Sequence, residues 1–582
     1  MWTILGAVWY AARHFEARRR RWREELSLFD ELRAIQATYG YIPADQLHKL
    51  SKKLEKPVSE LHAVASFYPH FYLKPPPKAD VRVCADMSCH LRGAGRLRQG
   101  LENFFAGRGA GEVTIRDVSC LGRCDTAPAL SVNDRIYSGV GLQNAVDVVQ
   151  GAVVGKLPEA AVHKQARPQL KVDPYQGRGA YKAVAQFAAN RDVAAVLNAL
   201  KASTLRGMGG AGFPTGSKWE IVRNAPGTQK YIVCNADESE PGTIKDRFIM
   251  ENAPHLVIEG MIVAGLVTGA TKGYIYIRHE YEGPREVLQE EIRRCYREQI
   301  LGADVLGSKL QFDLEIFVSP GGYICGEESA LLEAMEGKRS EPRNKPPFPG
   351  TNGLWNAPTV INNVETFALA SAILVNGADW YKKQGLNGIP GLKFVGISGD
   401  VVYPSVYEVP MGVTYRDLIF KYGRGIPDGK KLLGFAPSGP SSGYLPASLV
   451  DLPLDFKALA DAGSMVGSGA IVVCGEGRCM LDMAVNSTRF FRNESCGKCV
   501  PCRTGSQKLV DILTHWTNGE SGKNDLQLIE ELFKAMRLTS ICGLGQIVHA
   551  PLSSILKHFP EVIDEHVKTR RCSAGVCFPA RG

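Results

Sequence analysis

RGMGGAGFPTGSKW, residues 206–219, places five glycines, a proline and a lysine in one short stretch. What approaches its backbone decides how the chain is read. The dinucleotide-binding glycine fingerprint needs a strand in front of it. Here NRDVAAVLNALKAST (190–204) comes first, with Val193, Val196, Leu197 and Leu200 on one helical face. The ordinary Rossmann reading fails on that context, and a different phosphate- or ring-binding loop is left open.

Working outward, NADESEPGTIKDR (235–247) follows the strand-like KYIVC and presents Asn235, Asp237, Glu238 and Glu240 in one loop. GGYICGEESALLEAMEGKR (321–339) follows LEIFVS and brings Glu327 and Glu328 to a helix start. Capping of that helix is the plainer use for the two acids, because carboxylates gain from the N-terminal dipole. RNKPPFPG (343–350) and PTVINNVET (358–366) add amides and aromatics. Polar strand-to-helix turns of this kind line the ligand crevice at the carboxyl ends of an open α/β sheet. Phosphate donors, amides for ring edges, aromatics for stacking and carboxylates for ribose are all present. Spacing alone does not separate NADH from ATP.

The chain has 582 residues, which suggests three or four domains at roughly 150 residues each. Its net charge of +9 collects in local runs such as RRRRWR (18–23). That permits anionic partners without requiring nucleic acid, and no basic strand with interleaved aromatics points to nucleic-acid binding. The N-terminal apolar run in MWTILGAVWYAARHFEARRRRW lacks a basic stretch before it. It also falls short of the ~20 residues of a spanning helix. An amphipathic helix is expected there, with partner docking or membrane-surface contact as alternatives. No secretory signal is evident, so a cytoplasmic location is expected, where clustered cysteines favour metal or redox sites over disulfides.

Composition shifts divide the chain. Residues 1–78 read as a helical region, 79–160 as a compact α/β domain and 161–180 as a polar linker. A large α/β domain spans 181–390, a small β-grasp-like module 391–480 and a helical domain 481–570, and a cysteine-containing tail closes at 571–582.

Fifteen cysteines are many for such a chain. In ESCGKCVPC, Cys496, Cys499 and Cys502 stand two residues apart, and Cys542 follows in SICGLG. Three thiolates at that spacing hold three corners of a cube and a remote fourth closes the cage, as in a [4Fe–4S] site. Structural zinc, the alternative, usually takes two separated pairs. Cys84 and Cys89 (CADMSC) with Cys120 and Cys124 (CLGRC) suit a [2Fe–2S] cluster, with zinc or a redox dithiol as alternatives. Cys234, Cys295, Cys325 and Cys474 read as core residues, and Cys479 is unassigned. Cys572 and Cys577 are spaced like half a metal site without a second pair after them, so either a frayed tail or a cluster shared with a partner subunit would account for them. The clusters narrow the nucleotide: a hydride carries two electrons and each cluster takes one, so a flavin between them is chemically suited.

RGMGGAGFPTGSKW, NADESEPGTIKDR, GGYICGEESALLEAMEGKR, KPPFPG, PTVINNVET and ESCGKCVPC resemble the NADH-binding flavoprotein subunit of respiratory complex I and its relatives, over roughly residues 180–570. Residues 28–155, with QATYGYIP, ASFY and four cysteines, resemble the companion thioredoxin-like [2Fe–2S] subunit, fused in front. The resemblance implies a multidomain α/β chain: a helical and thioredoxin-like [2Fe–2S] part, an unusual Rossmann-like FMN and NADH domain, a β-grasp-like domain and a C-terminal helical bundle with [4Fe–4S]. By position it assigns Gly207, Gly209, Lys218, Asn235, Asp237, Gly326, Glu327, Asn362 and Asn363 to FMN. Phe213, Glu240, Glu328, Lys345 and Phe348 fall to NADH, with Glu238 and Tyr323 in the same site. Met208 departs from the family, where many relatives carry arginine.

The fusion implies a soluble diaphorase within a hetero-oligomer, its further dimerisation open, like those of NAD-reducing hydrogenases or NAD-dependent formate dehydrogenases. APSGPSSGYLPASLVDLPLDF (436–456) and ICGLGQIVHAPLSSILKHFP (541–560) look closest to the formate dehydrogenase β-subunits. A molybdenum or tungsten pterin partner is therefore expected, with hydrogenase subunits as the alternative. A complex I component and a non-catalytic redox scaffold are the remaining readings.

Overall fold

The computed structural model describes residues 27–107, 111–160, 168–176 and 181–578. The N-terminal apolar run and RRRRWR lie outside these residues. Three helices, Ser27–Tyr39, Ala44–Leu54 and Val58–Phe67, open the described chain. Pro43 and Pro57 sit at the N-caps of the second and third, where a missing N–H costs nothing. The helices dock on the large domain: the buried Phe29 ring meets Tyr68 edge-on at 5.2 Å and Phe317 at 6.4 Å, and Arg33 donates to the Val318 carbonyl at 2.7 Å.

The next domain is a four-stranded sheet in the order β2-β1-β3-β4, formed by β1 (Ala79–Cys84), β2 (Val113–Val118), β3 (Ala129–Val132) and β4 (Arg135–Ser138). β1 and β2 run parallel while β3 and β4 run antiparallel. Cys84 ends β1, so the thiols lie at one edge of the sheet.

Parallel strands β5 (Tyr231–Ala236), β6 (Lys272–Ile277), β7 (Asp313–Val318) and β8 (Thr359–Asn363) form the central sheet, ordered β7-β6-β5-β8. Their apolar runs suit strands covered on both faces. Helices Pro254–Thr268 and Val364–Asn376 pack on this sheet. They touch so closely at Gly260 that a Cβ would stand 2.2 Å from the Phe367 carbonyl oxygen.

Within the span read as the linker 161–180, residues 168–176 are held by side chains of the neighbouring domains; the rest of that span lies outside the described residues. Glu408 accepts from the backbone N–H groups of Lys171 and Val172, both at 2.6 Å. Tyr175 donates to the buried Glu259 at 2.9 Å.

Strands β9 (Leu392–Gly399), β10 (Ser405–Pro410), β11 (Leu432–Ala436), β12 (Leu445–Pro446) and β13 (Ala470–Gly475) make a mixed sheet ordered β10-β9-β13-β11-β12. The first and last strands lie parallel at its centre, which is the β-grasp arrangement. Helices Met480–Asn493, Val500–Thr517, Asp525–Thr539 and Ala550–His558 then form the C-terminal bundle. Among the described residues, no helix is long and apolar enough to cross a membrane.

Candidate functional site

The crevice residues gather where sequence placed them, at the carboxyl ends of the parallel strands. Asn235 ends β5 and donates to the Gly326 carbonyl at 2.8 Å, tying the acidic loop to the turn after β7. Asn362 at the end of β8 accepts from the Trp219 indole at 3.0 Å. The glycine loop closes on itself through Gly207 N–H to the Phe213 carbonyl, 2.9 Å. A Cβ on Gly209 would come within 3.0 Å of Asn363, so a side chain there displaces the loop. Gly326 is similarly tight, 3.2 Å from the Asp237 carbonyl oxygen. Met208 turns into the core, and its N–H donates to Thr366 at 2.9 Å.

Two observations fit a phosphorylated aromatic cofactor. Lys218, on the first turn of helix Thr215–Asn224, donates to the Ile361 carbonyl at 3.0 Å and stands over the Phe213 ring at 6.0 Å. Burial lowers its pKa, so an anion arriving there would meet a desolvated cation. Phe213 and Phe348 are 45% and 58% exposed, unusual for large apolar rings unless something stacks on them.

The acids divide by environment. Glu327 is the N-cap of helix Glu328–Met335 and accepts from the Ser329 and Ala330 N–H groups, both 2.9 Å. The plainer use for it is therefore real, yet its other oxygen and that of Glu328 hold Lys345 at 2.8 and 2.7 Å. Burial pushes Asp237 up to about 7, although Ser239 donates to it at 2.6 Å. Glu240 is likewise held at about 7 by burial and accepts from the Ser441 N–H at 3.1 Å. The Tyr323 hydroxyl stands 3.4 Å from the Ser441 hydroxyl, and its ring packs on Phe490 at 5.0 Å.

Glu238 has a dense set of partners of its own. Both its oxygens are taken, by the N–H groups of Asp246 and Arg247 at 2.8 and 3.0 Å and by the Tyr281 hydroxyl at 2.8 Å. Its carboxylate caps the helix Lys245–Asn252.

Sequence reasoning also missed a buried ion network under the loop. Lys245 pairs with Asp246 at 2.6 Å and Glu365 at 3.0 Å, and Glu365 also holds Lys393 at 2.6 Å. Burial opposes the Lys245 charge, but Asp246, Glu365 and Glu238 outweigh it and raise its pKa. Asn363 is clamped by this network, accepting from Lys245 at 3.0 Å and donating to Asp246 at 2.5 Å. Its partners are scattered from residue 238 to 393, so no local spacing announces it.

Cys84, Cys89, Cys120 and Cys124 are all buried, free thiols at one sheet edge. Cys120 and Cys124 lie 3.5 Å apart, and Cys84 contacts both Cys89 and Cys120. Backbone N–H groups of Gly122 and Gly242 donate to Cys120 and Cys124 at 3.4 and 3.2 Å. Such donors suit thiolates bearing cluster charge. Gly242 belongs to the acidic loop, so that loop joins the crevice to the thiols. Arg247 reinforces the joint, reaching Asp125 at 2.6 Å and the Gly122 carbonyl at 2.8 Å.

Cys496, Cys499, Cys502 and Cys542 line one small cavity with Ile324, Pro342 and Leu544. Cys499 caps the helix Val500–Thr517 and Cys542 the turn Gly543–Ile547. Four thiols around a single apolar void are the donor set a cubane cluster requires.

Comparison with known proteins agrees with this geometry. Residues 14–152 match the thioredoxin-like [2Fe-2S] ferredoxin family, 200–371 the Nuo51 FMN-binding domain, and 482–566 the NADH-ubiquinone oxidoreductase-F iron-sulfur binding region. An F-type NADH-quinone oxidoreductase subunit of Rhizobium meliloti (strain 1021) is 42% identical over 398 residues, 68% of this chain and 94% of that one. NADP-reducing hydrogenase subunit HndC of Solidesulfovibrio fructosivorans is 41% identical over 406 residues, 70% of this chain and 82% of that one. A crystal structure of NAD+-reducing [NiFe]-hydrogenase superposes with a TM-score of 0.82 at 31% identity, covering 92% of this chain and 93% of its counterpart. The chain thus belongs to the family of NADH-dehydrogenase (diaphorase) subunits typified by the F-type chain of NADH-quinone oxidoreductase, which bind FMN and a [4Fe–4S] cluster, and it carries a thioredoxin-like [2Fe–2S] domain in front.

Proposed function

We propose that this chain is the NAD(H)-reacting half of an oxidoreductase whose partner carries a molybdenum or tungsten pterin and acts on formate. Gly207, Gly209, Lys218, Asn235, Asp237, Gly326, Glu327, Asn362 and Asn363 hold FMN. Phe213, Glu240, Glu328, Lys345 and Phe348 hold NADH, and Tyr323 backs Glu240 through Ser441. Cys84, Cys89, Cys120 and Cys124 ligate the [2Fe–2S] cluster; Cys496, Cys499, Cys502 and Cys542 ligate the [4Fe–4S] cluster. Bound FMN supplies the exchange between a two-electron hydride and the single electrons that clusters carry. The protein's own part is positioning. Lys218 offers a desolvated cation to a phosphate, and the clamped Asn363 fixes the loop beside Gly209. Lys345 ties Glu327 and Glu328 together and so fixes the two acids at the nucleotide site. No side-chain acid or base is required for the hydride step.

The observation that carries the diaphorase reading is the acidic loop. Its start faces the flavin crevice and its Gly242 touches a thiol of the [2Fe–2S] quartet. Support for formate comes from segments 436–456 and 541–560 and from retention of all four N-terminal cysteines. A hydrogenase partner is the second reading, favoured by the likeness to NAD+-reducing [NiFe]-hydrogenase over 92% of the chain. The metal content of the complex that copurifies with this chain separates the two. Molybdenum or tungsten, with formate-dependent NAD+ reduction, is the expected result; nickel overturns the formate partner and leaves the diaphorase role standing.

A further inference from the structure

Cys572 and Cys577 read from the sequence as half a metal site, and the structure supplies the other half from upstream. Cys479, His566, Cys572 and Cys577 bring one ligand atom each to within 4.8 Å of one another. Cys479 and His566 are 5% and 1% exposed, and the two tail cysteines are half-buried. None is disulfide-bonded. We propose that these four residues form a mononuclear Cys3His zinc site that fastens the two ends of the C-terminal helical domain to each other.

The distances identify the nuclearity. Four ligands arranged tetrahedrally at about 2.3 Å (S) and 2.0 Å (N) from zinc stand roughly 3.8 Å apart for S···S and 3.5 Å for S···N. The Cys479–Cys577 Sγ···Sγ distance is 3.8 Å, and Cys479 Sγ lies 3.6 Å from His566 Nε2. Neither cluster quartet of this chain draws three ligand atoms inside the 4.8 Å limit that this group meets. Two thiols on one iron can stand this close, as Cys120 and Cys124 do at 3.5 Å, but a polynuclear cluster does not fit where all four ligand atoms approach one another within 4.8 Å.

The surroundings are those of a ligand set. His566 Nδ1 donates to the Val562 carbonyl at 2.8 Å, which fixes the tautomer and leaves the Nε2 lone pair facing the thiols. Zinc-bound histidines are oriented in this way by a backbone or carboxylate acceptor. Phe578 stacks on the imidazole at 5.5 Å and shields it. Cys479 is the N-cap of the 14-residue helix Met480–Asn493, and the Asp482 N–H faces its sulfur, an arrangement that favours thiolate. Gly575, at φ +65°, turns the chain between Cys572 and Cys577, with its N–H on the Cys572 carbonyl at 2.9 Å. The C-x4-C spacing falls within that of structural zinc knuckles. Binding would release the thiol protons and leave the imidazole neutral.

Position gives the site its use. Cys479 precedes the first helix of the [4Fe–4S] domain and Cys577 follows its last turn, 98 residues on. A metal joining them closes the domain as a long-range crosslink does, by removing freedom from the unfolded chain.

The test is metal analysis of the purified full-length holoprotein, with zinc K-edge absorption to read the ligand shell. About one zinc per chain, bound by three sulfurs and one nitrogen, is expected. In the double variant Cys572→Ser/Cys577→Ser, zinc should fall to below about a tenth per chain while iron and flavin stay unchanged. His566→Cys should keep zinc with an all-sulfur shell, and so tests the site even if the double variant does not fold. Wild-type protein without zinc, zinc retained by a folded double variant, iron in this shell, or a Cys479–Cys577 disulfide in the native protein would each overturn the proposal.

Discussion

Cys496, Cys499, Cys502 and Cys542 stand around a small cavity, whereas Cys479, His566, Cys572 and Cys577 close on one another within 4.8 Å. The two quartets belong to the same C-terminal domain and draw on the same residue types. Their difference lies in what holds the ligands apart. In the first, helix caps at Cys499 and Cys542 point thiols inward from separate helices, with Ile324 and Leu544 keeping the space apolar. In the second, a tight turn at Gly575 and a backbone-oriented imidazole draw the ligands together. Spacing, more than ligand identity, sets whether a site takes an inorganic cluster or a single ion.

If the quartets are independent, breaking one must spare the other. Cys499→Ala should remove about two thirds of the iron, the cubane's share, and leave zinc and flavin in place. In that variant NADH should still bleach the flavin and still reduce the [2Fe–2S] cluster, whose thiols the acidic loop joins directly to the crevice, while the paramagnetic signal of the [4Fe–4S] cluster is lost. Loss of zinc along with the iron would show that the quartets form one folding unit.

Gly209→Val extends the comparison to the crevice. Its Cβ would press on Asn363, which the buried Lys245–Asp246–Glu365 network prevents from yielding. Flavin affinity should fall at least ~10-fold, about 1.4 kcal/mol, with both metals retained. Flavin fluorescence released on dilution measures it.

Arg247→Met attacks the joint between the crevice and the [2Fe–2S] domain. It leaves Asp125 and the Gly122 carbonyl without their partner and should cost about 2 kcal/mol, read as a lower Tm. An unchanged Tm would mean that Gly242 and the apolar contacts alone hold the domains.

The smallest effect is a pH slope. Burial holds Glu240 at about 7, above its ordinary 4.5. A carboxyl with a raised folded-state pKa stabilises the fold fully below its unfolded value, and that contribution is lost as pH rises through the folded value. Glu240→Gln abolishes this share, so the variant's Tm relative to wild type should improve by a few degrees, roughly, between pH 5 and pH 8. A constant difference across that range would place the Glu240 carboxyl in water.

Local patterns were legible in the sequence, and long-range ones were not. Cys496, Cys499 and Cys502 announce a cluster because consecutive ligands share one turn. The strand-to-helix turns at Asn235 and Glu327 stood out because polar residues cluster after apolar runs, and the parallel sheet then puts them at one edge. The capping bonds of Glu238 were not legible, because an acid in a polar loop looks the same whether it faces a ligand or caps the next helix. Residues 168–176 look polar, yet backbone N–H groups of Lys171 and Val172 are captured by Glu408 from the β-grasp sheet. Cys479 and His566 carried no signal at all, being 87 residues apart and brought together only by the closing of the helical domain.

The central claim is that this chain takes hydride from NADH and passes single electrons to its clusters. An anaerobic NADH titration of the full-length holoprotein, followed by flavin absorbance and low-temperature paramagnetic resonance, tests it most directly. The account predicts that the flavin bleaches and that reduced-cluster signals grow in as NADH is added. Nucleotide binding that leaves both the flavin band and the cluster signals unchanged would contradict it.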